Sequence, residues 1–312
     1  MADRRTQGAI RMSARGAGPV CAQLDGRRWH FQHGPIDLVL EIEGELASVR
    51  QALDESWSRF QSILPELVSE LPELRRPVEE HPRLRCPVAI RMLRACEPFG
   101  SERFLTPMAA VAGAVADELI ELFRRPGIAR AFINNGGDIA LHLTRGQCYR
   151  VGICANIDQP LRSMLAHTAA LDSMFEIAAD LPVRGVATSG WRGRSFSLGI
   201  ADSVTVVAVD AAAADAAATM IANAVNCEYD GIVRRPADEI KDDTDLGSRL
   251  VTVQVPPLSP ALITEALDCG RREAEYWRRR GRIYAAALFL QGRIALVLPA
   301  KVEERQHACC DS

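Results

Sequence analysis

The stretch Ala131-Phe-Ile-Asn-Asn-Gly-Gly-Asp-Ile-Ala-Leu-His-Leu143 joins two apolar runs through a short polar turn. Two such runs on either side of an Asn-Gly pair are the strongest local signal for a β-hairpin. Glycines also let backbone N–H groups approach a ligand closely, and the neighbouring amides and carboxylate add donors and acceptors. The turn therefore predicts a tight hairpin, a ligand-binding loop, or both at Asn134, Asn135, Gly136, Gly137 and Asp138.

Strands and helices are predicted on both sides of this hairpin. The alternation of Ile36–Ile42 predicts a strand, and apolar residues at helical spacing predict an amphipathic helix over Glu45–Leu64. Residues 65–87 contain several prolines and predict an irregular connection, whereas Val88–Cys96 fits either a helix or a strand. Near the end, Gln291-Gly292 predicts a second hairpin.

Several other short strands are predicted by apolar runs, at Tyr149–Cys154, Leu165–Leu171, Gly185–Thr188, Ser203–Val209 and Leu250–Val255. A further helix is predicted from Pro260 to about Arg280. Strands mixed with helices in this order indicate an α+β fold, with mixed, largely antiparallel sheets against alanine-rich helices.

Two alanine-rich helices resemble one another. The first is predicted over Pro107–Phe123 with Thr106 as its N-cap, and the second over Ala211–Cys227. Each carries one internal aspartate, Asp117 in the first and Asp215 in the second. Two alternatives are open: an internal duplication with two-fold pseudo-symmetry, or a coincidence of alanine-rich composition.

The second of these helices carries a polar line on an apolar surface. Asp215 and Thr219 are four residues apart and share one face, and Asn223 extends the line. A carboxylate and a hydroxyl one turn apart can hold a hard divalent cation with further backbone and water oxygens. The alternative is that Asp215 favours the positive end of the helix dipole, or faces solvent.

A hydroxyl-rich segment, Thr188-Ser189-Gly190, follows a predicted strand and precedes Arg192 and Arg194. Free amides in such a turn bind anions, and an arginine can hold a phosphate in bidentate fashion. The alternative is an ordinary surface loop.

The composition limits the classes of function. The 312 residues carry a net charge of −3, which does not favour nucleic-acid binding. The lysines, Lys241 and Lys301, both come late in the chain, which disfavours Schiff-base and Walker-type chemistry. The nine cysteines are scattered without a C-x-x-C pair, as in reduced cytosolic proteins. No apolar stretch has the length of a membrane span or a signal sequence, so a cytoplasmic protein is expected.

The expected organisation is a disordered segment over 1–20, a single domain of two joined lobes over 21–300, and a polar tail over 301–312. The expected partner is a small-molecule nucleotide, without nucleic acid or membrane. A protein partner and a homo-oligomer are left open.

The motifs together resemble the ApbE superfamily in order and spacing, over about Gln23 to Leu298. They comprise Asn-Gly-Gly-Asp at 135–138, Val151-Gly-Ile153, Ala187-Thr-Ser-Gly190, Ser203-Val-Thr-Val-Val-Ala208 and Ala214-Asp-Ala-Ala-Ala-Thr219. The chain is most similar to an uncharacterised, UPF-type branch, which shares Pro-Met-Ala-Ala-Val-Ala-Gly at 107–113. Its transferase members bind FAD and use Mg²⁺ to attach FMN to a threonine of a target flavoprotein.

The resemblance implies roles for residues of this chain. Asp215 and Thr219 match the metal-binding aspartate and threonine, with a backbone carbonyl near Ala109–Ala112 completing the metal shell. Residues 134–138 would line the nucleotide pocket, and Thr188, Ser189 and Gly190 would contact the flavin or its phosphates. FAD or a related nucleotide, with Mg²⁺, is the implied cofactor set.

Two departures from the transferase pattern keep the function open. Ala112 stands where the transferases carry a lysine, and Leu198-Gly-Ile-Ala-Asp202 lacks their histidine and proline. The alternatives are Mg²⁺-dependent FMN transfer or FAD pyrophosphate cleavage, a non-catalytic accessory protein of a redox pathway (sulfur-amino-acid formation or heteroaromatic catabolism), and a structural oligomeric module with a vestigial pocket.

Overall fold

The alternating stretch that begins at Ile36 forms an inner strand of a nine-stranded sheet. The computed structural model describes residues 18–100, 103–153 and 173–299. In sheet order the nine strands are β1 Val20–Asp25, β2 Arg28–His33, β3 Ile36–Gly44, β4 Ile128–Asn135, β5 Asp138–Leu143, β8 Gly185–Ser189, β9 Ser203–Ala208, β12 Ala285–Leu290 and β13 Arg293–Val297.

Four further strands form two separate antiparallel pairs, β6 Cys148–Ile153 with β7 Ser173–Ala178, and β10 Val233–Pro236 with β11 Leu250–Gln254. Every strand pairing in the described ranges is antiparallel. The predicted α+β fold with largely antiparallel sheets is therefore confirmed.

Helices cover one face of the large sheet. They are α1 Leu46–Ser69, α2 Leu71–Leu74, α3 Pro87–Gly100, α4 Val111–Ile120, α5 Ala211–Ala224, α6 Ala237–Ile240 and α7 Pro260–Arg279. On β3 the side chains of Ile36, Leu38, Leu40 and Ile42 are buried, and the residues between them are partly exposed. This alternation turns the apolar face of the strand towards the main core, in which the helices also bury their apolar side chains.

The two alanine-rich helices lie side by side at the centre of this layer. Helix α4 packs on β4 and β5, and α5 packs on β8 and β9, so each helix covers one antiparallel pair. The pairs meet where β5 joins β8 through a short register, Ile139 with Val186 and Ala140 with Gly185. The similar helices thus have similar surroundings, which favours the duplication over coincidence.

The crossing of α4 and α5 depends on Gly113. A Cβ atom at this position would lie 2.3 Å from the carbonyl oxygen of Ala211 and 2.8 Å from the Cα of Ala212. Only a residue without a side chain lets the two backbones approach this closely. The partner in this close contact is the second alanine-rich helix.

Several boundaries differ from the sequence prediction. Helix α1 continues through Pro65 to Ser69, where an irregular connection was predicted, and Val88–Cys96 belongs to α3. Pro107–Ala110 is a 3₁₀ turn ahead of α4, and Thr106 does not cap it. The Thr106 hydroxyl instead donates to Asp245. The predicted strand at 165–171 lies outside the described residues.

The opposite face of the sheet carries a smaller core under the β6–β7 pair. Its buried members are Leu141, Leu143, Ile177, Val183, Val186, Val207 and Ala285. No helix in the part of the chain that the structure describes is long and apolar enough to cross a membrane.

Candidate functional site

The predicted turn joins β4 to β5. Asn135 pairs with Asp138 across the hairpin, and the two glycines between them have φ angles of 67° and 118°. The Gly137 N–H donates to Asn134 Oδ1 over 2.8 Å, so the first asparagine closes the turn. The tight hairpin is confirmed, and it presents Asn135 and Asp138 towards the helix layer.

A single peptide group of α4 connects this turn to α5. The Ala112 carbonyl oxygen accepts a hydrogen bond from Asn135 Nδ2 over 3.1 Å. The N–H of the same peptide, that of Gly113, donates to Asp215 Oδ2 over 3.0 Å. The paired-glycine turn and the aspartate of α5, predicted from separate motifs, therefore meet at the start of α4.

Asp117 makes the reciprocal contact. Its carboxylate accepts from the N–H groups of Ala211 and Ala212, at 3.1 and 2.8 Å, at the start of α5. Each of the two helices thus supplies an aspartate that caps the first turn of the other. Because the exchange repeats the same geometry in both directions, it supports the two-fold pseudo-symmetry. It also shows that Asp215 caps a helix other than its own.

Asp138 is buried, and one of its oxygens accepts the Thr188 N–H over 3.1 Å. Thr188 and Ser189 belong to β8 and pair with Thr205 and Val204, so the predicted turn starts only at Gly190. The Thr188 hydroxyl lies 2.9 Å from that of Thr205. The Thr188 N–H already serves Asp138 and is not a free amide donor, and the contact of Thr188 with a ligand stays a prediction.

The two acidic side chains of the site influence one another. Burial raises the pKa of Asp138 to about 7, against the contributions of the Thr188 N–H and Arg194. Burial also raises the pKa of Asp215, and the neighbouring negative charge of Asp138 adds to this. The backbone N–H groups of Gly113 and Ala112 act in the opposite direction. A positive charge placed between these carboxylates would relieve their repulsion.

The oxygen donors near Asp215 fit a hard cation. Asp215 and Asp138 supply carboxylates, and Thr219 is partly buried one turn along the same face. Within the described residues no side chain bonds the Thr219 hydroxyl, and no three His, Cys, Asp or Glu side chains cluster as a metal site. A cation here would therefore also need hydroxyl and backbone oxygens, which Mg²⁺ accepts.

The polar line on α5 ends at Thr219. Asn223 Oδ1 accepts from the Leu198 N–H over 2.9 Å and from the Ser197 hydroxyl over 3.2 Å. Asn223 therefore holds the 197–199 loop and does not extend the site.

Arg194 closes the other side of the hairpin. A Cβ atom added to Gly136 would lie 3.2 Å from the Arg194 guanidinium carbon. Gly136 thus leaves room for a positive charge over the turn, and Arg194 is itself exposed. Gly190 lies against the Asp202 backbone, and Arg192 pairs with the Asp202 carboxylate. Of the two predicted phosphate-binding arginines, Arg194 lies at the site.

The fold brings together four of the predicted site residues, Asn135, Asp138, Thr188 and Asp215. Ser189 lies at the end of β8 and Gly190 in the turn that follows it. Sequence reasoning noted Asp117 and Asp202 but assigned a structural or functional role to neither. The helix similarity was a signal for Asp117, since it stands in the first helix as Asp215 does in the second. Asp202 binds Trp191 Nε1 and the Gln291 N–H, contacts without a local sequence signal.

The sequence model of a family described as AbpE bacteria matches residues 21–296. A UPF0280 protein of Methanopyrus kandleri is 40% identical over 157 residues, which cover 50% of this chain and 56% of that protein. A UPF0280 protein of Methanoculleus marisnigri is 33% identical over 187 residues, covering 57% and 71% respectively. The match spans about half the length of the first of these relatives.

Among solved structures, the chain is similar to the apo flavinyl transferase ApbE of Pseudomonas stutzeri, with 12% identity and a TM-score of 0.41. That alignment covers 92% of this chain and 98% of the other. A mutant of the flavin transferase ApbE from Vibrio cholerae gives 13% identity and a TM-score of 0.41, covering 86% and 95%.

Proposed function

This chain belongs to the family described as AbpE bacteria, and on that premise we propose that it binds a flavin dinucleotide with Mg²⁺ beside Asp215. The reaction is transfer of FMN from FAD to a protein hydroxyl with release of AMP, or hydrolysis of the FAD pyrophosphate by water to FMN and AMP. The observation that carries this proposal is that Asp215 and Asn135 of the 134–138 turn bond the same Ala112–Gly113 peptide, while the charge of the nearby Asp138 acts on Asp215.

The residues of the site have distinct tasks in this proposal. Asp215 and Thr219 would hold Mg²⁺, which neutralises pyrophosphate charge and stabilises the leaving oxygen. Asn135 fixes the turn against α4 through its bond to the Ala112 carbonyl. Arg194 provides the exposed positive charge over Gly136, suited to a phosphate oxygen.

A second candidate is a flavin-binding protein without turnover. One observation favours it: Asp215 has a structural task, because it caps α4 in the same way that Asp117 caps α5. A chain that lost catalysis would therefore still retain this aspartate.

Incubation of the purified protein with FAD and MgCl₂, followed by chromatography, separates the two candidates. Release of FMN and AMP that stops on adding EDTA supports catalysis. Binding of FAD without release supports the accessory role. No binding with or without Mg²⁺ contradicts both.

The matched variants are Asp215→Asn and Asp117→Asn, since both change one buried capping carboxylate. We expect Asp215→Asn to lower the Mg²⁺-dependent rate by about 100-fold or more, as loss of a charged metal ligand does. Asp117→Asn should retain most of the rate, because its carboxylate faces the start of α5. Equal losses in both variants would mean that Asp215 acts only as a helix cap.

A further inference from the structure

A cleft of about 640 Å³ lies apart from this site, between α3, the start of α5 and the segment that follows α7. Its volume is in the range of small-molecule sites. Its apolar lining includes Pro87, Ile90, Ala95, Pro98, Phe99 and Val209. Val209 is 62% exposed, so part of this lining is in contact with water. None of the lining residues belongs to the Asp138–Asp215 site.

The cleft also contains three arginines, and two of them are unpaired. Arg91 pairs with Glu118 at 3.6 Å, and its Nε atom is buried without a hydrogen-bond partner. Arg94 and Arg282 are exposed, and within the described residues their guanidinium groups have no carboxylate or carbonyl partner. They approach the same cleft from α3 and from the segment between α7 and β12.

The acidic residues of the cleft are already engaged. Glu118 accepts a hydrogen bond from Arg59 over 2.8 Å as well as pairing with Arg91. Asp210 accepts the Ala213 N–H over 2.8 Å as the N-cap of α5. The other first-turn amides of α5 bind Asp117, so the helix end itself offers no free donor there. Recognition of an anion falls to the arginines.

We propose that this cleft binds a small phosphate monoester, with Arg94 and Arg282 on the phosphate and the ester group against the apolar lining. Two unpaired guanidinium groups match a group that carries nearly two negative charges near neutral pH, and a single carboxylate would leave one of them unpaired. The adjoining apolar wall favours an ester with a ring or alkyl body over inorganic phosphate.

Calorimetric titration with phenyl phosphate tests the proposal on the full chain. We expect Arg94→Gln/Arg282→Gln to weaken binding by about tenfold or more, as loss of charged hydrogen bonds does. The control is Arg50→Gln/Arg145→Gln, which removes the same charge from exposed positions outside the cleft. Ala95→Trp, which fills the apolar wall, should also weaken binding, and thermal unfolding checks that each variant folds.

Three outcomes overturn the proposal: no binding of phenyl phosphate, equal binding by the cleft and control variants, or inorganic phosphate binding as tightly as the ester. Asp215→Asn should leave phenyl phosphate binding unchanged. If Asp215→Asn abolished phenyl phosphate binding, the ester would occupy the proposed flavin site. The proposal for this cleft can therefore be contradicted without contradicting the proposed function.

Discussion

Gly113 is the residue at which the two alanine-rich helices come closest. A methyl group there would lie 2.3 Å from the Ala211 carbonyl oxygen, a contact that a rigid backbone does not relieve. We expect Gly113→Ala to lower the free energy of unfolding by about 1–3 kcal/mol, although alanine is the better helix former. Urea denaturation measures the change. Gly26→Ala, where the new Cβ meets nothing within 4 Å, should leave stability nearly unchanged.

Asp117 gives stability a pH dependence of known sign. Burial and the charge of Asp210 raise its pKa from 3.8 to about 7 in the folded protein. Between these values the folded chain keeps a proton that the unfolded chain releases, so this residue's contribution to stability is lost as pH rises through about 7.

The corresponding measurement is urea denaturation from pH 4 to 8, on the parent chain and on Asp117→Asn. The parent should lose more stability than the variant as pH rises, by up to about 1.4 kcal/mol for each pH unit. Asp54→Asn, at an exposed position of α1, is the control and should follow the parent. Parallel curves for the parent and Asp117→Asn would contradict the raised pKa.

At the scale of elements, local patterns predicted much of the fold. Alternation located β3, the Asn-Gly turn located the β4–β5 hairpin, and the alanine-rich runs located α4 and α5. The residues 134–138 between the two apolar runs carry their own turn chemistry, so no distant contact was needed to place the hairpin. The predicted end of the helix before Pro65 was wrong, because the packing of α1 on the core overrides the local preference of proline.

The rest of the site depends on contacts between distant parts of the chain. Asp215 meets Gly113 from 102 residues away, and Asp117 meets Ala211 from 94 residues away. Spacing within α5 predicted that Asp215 and Thr219 share a face, but not which face turns towards α4. The sequence predicted a free backbone N–H at Thr188 because its partner, Asp138, is 50 residues away and contacts it only in the folded sheet.

At the scale of the whole molecule, a bound ligand should be visible as added stability. If FAD and Mg²⁺ bind only the folded chain, a ligand concentration about 100 times the Kd should stabilise it by about 2.7 kcal/mol. For a chain of this size the melting temperature should rise by several degrees. EDTA should reverse the part that depends on Mg²⁺, as differential scanning fluorimetry would show. An equal shift in Asp215→Asn would exclude metal binding at that residue.

The exchanged caps of α4 and α5 also bear on synthesis by the ribosome. When Asp117 leaves the exit tunnel, the two amides that it binds have not yet been made, since they belong to residues 211 and 212. The Asp117 carboxylate and the first turn of α4 must therefore stay exposed to water, without their partners, while nearly a hundred further residues are translated. Final docking of the halves is thus a late event, after which each one shields the other.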